Sequence, residues 1–592
     1  MSALPITAVA YDTLDLQVAS SAAEGDPLAD ALRGALLLDT LDDAARADPR
    51  QVLSAAQADY ARLLEVLYAQ GRYGAALSIR IDGREAASIA PLGAPDTVDT
   101  VTVSVTPGPV YSLGRTDLAP LAPGTTLPGR FATGQPAEAA AVRDAARAAV
   151  TAWREDGHAK ARVADQRVIA RHADARLDVA VDVAPGPRLR FGDVTVTGDT
   201  GVSAPRVRQI AGIPRGDGFT PGAVDRAADR LRATGTFRSV TLREAETPNP
   251  DGTLDYMIEL ADRPPRRFGA GAEISSVEGL ALTGYWLHRN LLGGAERLRL
   301  EGSVRQLGGV TGTDYEVRAR GERPAVYGPD TRFFIEASVA REDEPAYLET
   351  TARLRFGASR EFSPTLTGTL AVAVRRSIVE DRFLPELPGG GFPERRLTLL
   401  SLPGSLTVDT RDDGADATRG YYLSVSGEPF AERAGDEAGL QVGIDARTYR
   451  AVGSRAVLAA RLQAGALLGP EAVDAPPDFL FYTGGGGSVR GQPYQSLEAD
   501  YGGQTLGGRG FASMSSEVRL AIRGAISVVG FADAGIVSPD PGDYADADWH
   551  AGAGLGLRYD TAVGPLRLDV AGPVAGDTGD GVQVYIGLGQ SF

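Results

Sequence analysis

At 592 residues the chain is too long for one compact core, so several domains are expected on length alone. Charged residues form 23% of it, too many for a helical membrane protein, and hydrophobic residues 43%, too many for a disordered chain. A net charge of −17 with no concentration of Lys and Arg speaks against nucleic acid as a partner, and the absence of cysteine removes disulfides, thiolate metal sites and cysteine nucleophiles. No apolar run approaches the roughly 18 residues of a spanning helix, so a bilayer can be crossed only by a closed barrel of alternating strands. The opening MSALPITAVA has neither the basic nor the apolar region of a secretory signal, so an envelope location implies that the signal is not part of the given sequence.

In chain order, the first informative feature is a repeat. PGPVYSLG begins at Pro107, PGPRLRFG at Pro185 and a degraded RPPRRFG at Arg263. Ahead of each, a helix ends in Gly, a ring follows and a strand begins: GRYGAALSIRI from Gly71, DGHAKARVADQRV from Asp156 and TGTFRSVTLRE from Thr234. Two independent signals with a shared spacing of nearly 80 residues predict three related αβ units, each a strand, one or two helices and two strands. In the first, Pro49 suits a first helical turn, and Leu53, Ala56, Tyr60, Leu63 and Leu67 line one helix face before Gly71 stops it. In the third, a helix opens at Pro221 and closes at Gly235. The expected domains are 1–107, 108–186, 187–263 and 264–592.

From about Phe268 helical spacing gives way to alternating segments separated by Gly, Pro and Asp. Leu566, Leu568 and Val570 oppose Arg567 and Asp569, and Leu400, Leu402, Leu406 and Val408 share one parity. Apolar on one side and charged on the other suits a barrel with lipid outside and water inside, of around 16 strands. Soluble β-sandwiches show the same alternation and remain a competing reading. The glycines from Gly484 lack the Gly-Lys-Ser/Thr of a phosphate loop, and Gly552, Gly554 and Gly556 lie inside a strand pattern where no dinucleotide turn fits. His158, His172, His288 and His550 have no ligand spacing, so no enzyme, metal or cofactor is expected; His158 fills the ring position of its repeat.

A set of motifs in order along the C-terminal half resembles the outer-membrane protein assembly factor superfamily, the BamA/TamA family. GGGGSVRGQPYQ holds Val489, Arg490, Gly491 and Tyr494 and looks like the family's Val-Arg-Gly-aromatic loop motif, with Gln492 where an aromatic is usual. SSEVRL presents Glu517, and FADAG presents Phe531, Asp533 and Gly535, similar to the strand motifs that receive the loop arginine. GLGLRYDTAVGPLRLDVAGP from Gly554 resembles the penultimate hairpin, and NLLGG and TVDTRDDGADATRGYYLSV match earlier strands.

The resemblance implies α+β polypeptide-transport-associated (POTRA) domains followed by a transmembrane barrel in a Gram-negative outer membrane, with the N-terminal domains in the periplasm. Three such units imply the TamA-like branch, a TamB-type periplasm-spanning partner, and autotransporters, surface antigens and other outer-membrane proteins as clients. The alternative within the superfamily is a two-partner-type exporter, against which the lack of a plug helix before the first repeat speaks. Glu517, Phe531 and Asp533 share the parity opposite to Val518, Leu520 and Val528, so Arg490 is expected to pair in the lumen with Asp533, and with Glu517 as a second acceptor. In GVQVYIGLGQSF, Val582, Val584, Ile586, Leu588 and Phe592 share the outward face, while Gly587 and Gly589, with Gly269 and Gly271 on the first strand, predict a weakly zipped seam.

Overall fold

The computed structural model describes residues 13–19, 26–275, 279–309, 312–433, 437–545, 547–561, 564–576, 578–579 and 581–592. The opening MSALPITAVA and residues 562–563 of the quoted hairpin lie outside the described residues. The chain divides into two compact units, one made mostly of the residues up to Asp193, the other of the barrel with 194–213 and 225–243.

In the first unit, Thr13–Val18 runs parallel to Thr100–Thr106, which pairs antiparallel to Ala76–Ile81. The helix Pro49–Ala69 starts where the Asp48 carboxylate accepts the Arg50 N–H and Pro49 supplies the preset first turn. Its face of Val52, Leu53, Ala56, Leu63 and Leu67 is buried against Ile79, Val101 and Val103. The next sheet repeats the plan. Ser112–Ala119 runs parallel to Arg176–Ala184, which pairs antiparallel to Arg162–Arg171, under the helix Ala139–Glu155.

A third sheet has the order Arg190–Asp199, Thr253–Asp262, Phe237–Glu244, with the helices Ala204–Ala211 and Pro221–Ala233. The repeated punctuation has a backbone cause. Gly71, Gly157 and Gly235 follow the three long helices at φ +74°, +93° and +68°, a region that costs glycine least. The Arg72 and His158 N–H groups then reach back to the Leu67 and Trp153 carbonyls at 2.8 and 3.0 Å. Gly108 and Gly186, at φ +65° and +72°, turn the link from the last strand of one repeat to the first of the next. The third copy lacks that glycine and leads into the first barrel strand, Arg266–Ser275.

The barrel is closed and, among the described residues, antiparallel. Seventeen segments form it, and two of them, Glu394–Ser401 and Gly404–Asp409, pair with the same two neighbours, so the wall has sixteen strands. The interruption falls at Pro403, which has no N–H for the ladder. Outward positions are apolar and exposed, among them Phe356, Leu406, Leu462, Leu555 and Ile586. Inward positions carry ion pairs such as Arg320–Glu336 and Arg461–Asp445, at 2.9 and 2.8 Å. That is the polarity of a wall facing hydrocarbon outside and water inside.

One rim of the barrel, here the near rim, carries the turns 289–296 and 324–330. Ala295 and Ala325 from these turns complete the core of Val207, Ile210, Leu231 and Ile258. Arg230 grips Asp330 through two hydrogen bonds of 2.6 and 2.9 Å, and the Gln209 amide donates to the Ala325 carbonyl at 3.0 Å.

Candidate functional site in the lumen and at the seam

Residues 469–509 join the strands Ala456–Leu468 and Gly510–Arg523 at the far rim and fold into the lumen. The Arg490 guanidinium there is 2% exposed. Its Nε and Nη2 donate to the two oxygens of Asp533 at 2.7 and 3.0 Å, the planar fork that only arginine offers. Nη1 donates to Glu517 at 2.8 Å and to Asp569 at 3.3 Å, and the Phe531 ring lies 3.6 Å from Cζ. The structure thus brings together Arg490, Glu517, Phe531 and Asp533, and adds Asp569. The set is charge-balanced, because Arg519 donates to Glu517 at 2.9 Å and Arg558 bonds both oxygens of Asp569. Buried charges are tolerable when paired and fully hydrogen-bonded in this way.

The glycines around the loop tip are there because of close approach. A Cβ on Gly552 would sit 2.0 Å from the Arg490 carbonyl oxygen, one on Gly535 2.9 Å from Val489 Cγ2, and one on Gly554 2.5 Å from the Phe531 ring. Gly491 adopts φ +90° against the Gly572 backbone. In the GxGxG at 552–556, Gly552 is therefore where the loop tip rests, and Gly554 makes room for the Phe531 ring. Gly552→Val should expel the tip and destabilise the barrel by about 1–3 kcal/mol, the usual cost of overpacking, read as a lower thermal midpoint of barrel unfolding; an unchanged midpoint would contradict this seating.

Tyr494 is not part of the arginine cluster. It points across the lumen, and its hydroxyl donates to Glu344 at 3.0 Å. Gln492 is fully buried, with its amide donating to the Ala551 and Ala575 carbonyls at 2.8 and 3.0 Å and its Oε1 accepting from Thr578 at 2.9 Å. Thr578 also lies 2.8 Å from His550 Nδ1, whose Nε2 lies 2.9 Å from Thr483. A polar chain thus does the work expected of an aromatic there.

The loop has a second anchor of opposite polarity. Asp478 on the loop accepts from Nη1 of the wall residue Arg375 with both carboxylate oxygens, at 2.5 and 2.6 Å, and Arg375 Nη2 also donates to Glu349. Beside it Phe479 packs edge-on against Phe430 within an apolar cluster including Val379, Leu399 and Leu467.

The first and last strands, Arg266–Ser275 and Gln583–Leu588, meet over a short stretch. Among the described residues only Ile274 pairs with Ile586, and Ser275 with Tyr585. By contrast the first strand pairs with the second along its whole length, from Arg266 to Ser275. The edge from Arg266 to Glu273 therefore has no described strand partner. A lumenal strut spans the gap: Arg567 reaches over Gly587 to Glu273 at 2.6 Å, and a Cβ at Gly587 would lie 3.2 Å from that carboxylate. Gly269 is covered by the Tyr285 ring, which a Cβ would meet at 2.3 Å, so it serves packing within the first hairpin. Gly271 similarly faces Thr283.

Phe592 corrects the outward assignment made by parity. Gly589, at φ +99°, turns the chain inward, and Phe592 joins the lumenal cluster of Tyr449, Ala459 and Ala417. Arg519 donates to the Phe592 carbonyl at 3.1 Å, and Gln590 bridges Arg558 and Asp416 at 3.0 Å each.

The Omp85 superfamily domain matches residues 290–592. Outer envelope protein 80, chloroplastic, of Arabidopsis thaliana is 26% identical over 389 residues, 58% of this chain and 49% of that protein, so the chain spans about half the length of that curated relative. Among solved structures, BamA from Haemophilus ducreyi lacking POTRA domains 1–3 is similar, with a TM-score of 0.63 and 18% identity over 81% of this chain and 100% of that one. CdiB from Acinetobacter baumannii follows at TM-score 0.51 and 14% identity, over 82% and 90%. These likenesses concern the fold, whereas the family match covers the arginine loop, the strands that receive it and the last strand of the seam: the chain belongs to the Omp85 superfamily of outer-membrane β-barrels.

Proposed function

We propose that this protein inserts or exports other outer-membrane polypeptides, autotransporters among them, by offering the free edge of its first barrel strand to an incoming client strand. The observation that carries this is the seam, where the register between first and last strands is, among the described residues, reduced to Ile274–Ile586 and Ser275–Tyr585. In hydrocarbon, unpaired backbone N–H and C=O groups are costly, so the edge from Arg266 to Glu273 is a template that a client strand would complete by β-augmentation.

The inward tail keeps that edge free. Continuing the observed register residue by residue would set Gly587 against Glu273 and Phe592 against Phe268, both rings then facing lipid. Parity in the sequence describes that zipped arrangement, and the turn at Gly589 is what departs from it. The three N-terminal αβ units fit POTRA domains with boundaries at 1–107, 108–186 and 187–263, in the periplasm, where they would receive clients and a TamB-type partner.

Reconstitution of the full chain in phospholipid vesicles with an unfolded outer-membrane barrel as client tests this reading. Client folding, read as protease-protected and heat-modifiable protein, should rise well above that of empty vesicles. Folding equal to that in empty vesicles would remove the insertion function.

A further inference from the structure

Two grooves on the outer wall are each lined by an arginine that, among the described residues, makes no ion pair. Gly404 and Gly427, opposite one another in the register, floor the first, and Phe362, Leu370, Leu406 and Val425 wall it, enclosing about 720 Å³. Arg360 also lines it, on the outward parity shared with Leu354, Phe356 and Phe362, with its guanidinium 5.7 Å from the Phe362 ring. Ala460, Ser516 and Ala532, aligned across three strands, floor the second, and Leu458 and Val518 wall it, enclosing about 570 Å³. Arg450 also lines that groove and faces outward opposite Leu458. Among the described residues neither arginine makes an ion pair or a side-chain hydrogen bond.

Both arginines sit close to the near rim. Arg360 is three residues before the strand end at Ser363, and Arg450 two before Val452, within roughly 10 Å of the rim at about 3.4 Å per residue. Tyr327, 95% exposed on a near-rim turn, flanks the first groove. A charge on the lipid-facing wall is tolerated near the interface, where it reaches the headgroups, and is expensive deeper in. An arginine fork matches a phosphate, and an apolar trough one side chain deep matches an acyl chain lying along the wall.

We propose that each groove is a binding site for one phospholipid of the near-rim leaflet, its phosphate on Arg360 or Arg450 and an acyl chain in the trough. This rests on the barrel's place in a membrane and is independent of client insertion. The two sites would fix the lipid boundary, and so the height of the wall, on the strands away from the seam.

Native mass spectrometry of the full chain, released from detergent after incubation with phosphatidylethanolamine–phosphatidylglycerol vesicles, tests the proposal. Persistent adducts of one and two lipid masses are expected. Arg360→Ala and Arg450→Ala should each lower one adduct by about fivefold, the change expected for roughly one charge contact at a lipid surface. Gly404→Val and Gly427→Val, which fill the first trough and keep its arginine, should do the same, with heat-modifiable mobility confirming the fold. Equal lipid retention in folded wild type and all variants would overturn the proposal. Inorganic phosphate in place of vesicles should leave no persistent adduct; one as persistent as the lipid's would overturn the lipid assignment.

Discussion

Arg490→Ala is expected to destabilise the barrel by about 3–5 kcal/mol, the range for removing one partner from a buried ion pair. Glu517, Asp533 and Asp569 are 2%, 3% and 0% exposed, and the loss of their shared cation leaves Asp533 without its forked partner, while Glu517 keeps Arg519 and Asp569 keeps Arg558 and the more distant Arg567. Asp533→Ala should be comparably harmful, since it leaves Nε and Nη2 of the buried guanidinium without their acceptors. The double variant should lose much less than the sum, because both changes break the same fork. Arg490→Lys should recover only part of the loss, as an ammonium cannot make the paired 2.7 and 3.0 Å bonds to Asp533. The midpoint of thermal or urea unfolding in detergent reads all four variants; fully additive losses would refute the direct pair.

The second large effect concerns activity. The sequence has no cysteine, so Ile274→Cys with Ile586→Cys introduces a single possible disulfide at the seam. Directly paired residues on neighbouring strands lie about 4.5–5.5 Å apart at Cα, within reach of a disulfide. The oxidised protein is expected to lose nearly all client insertion in reconstituted vesicles and to regain it on reduction, with each single cysteine variant active throughout. Undiminished insertion by the oxidised form would mean that clients do not pass through this seam.

The barrel was legible because a strand's period of two separates faces cleanly: the parity that sets Glu517, Phe531 and Asp533 apart from Val518 and Val528 puts them on one wall of the lumen. Asp569 belongs to the same pattern, opposed to Leu568 and Val570, yet its place beside Arg490 depends on how deeply the loop descends, which no periodicity encodes. The Asp478–Arg375 anchor was missed for the same reason, as one acidic residue in a Pro-rich loop carries no signal until the loop's path brings it 2.5 Å from the wall. In the first unit the short helices Leu37–Thr40 and Asp43–Arg46 are single turns, too brief to show a 3.6-residue period. Phe592 was misplaced because alternation presumes an extended backbone, and one glycine at φ +99° ends that premise three residues earlier.

The most direct test of the free edge is to place a photo-crosslinking side chain at Phe268, Ala270 or Ala272, trap a client during folding, and map the joined residues. The edge reading predicts cross-links to one terminal client strand, with client positions moving two residues at a time and in a constant direction as the probe moves from Phe268 to Ala272. Cross-links confined to probes inside the lumen, with none along this strand, would contradict it.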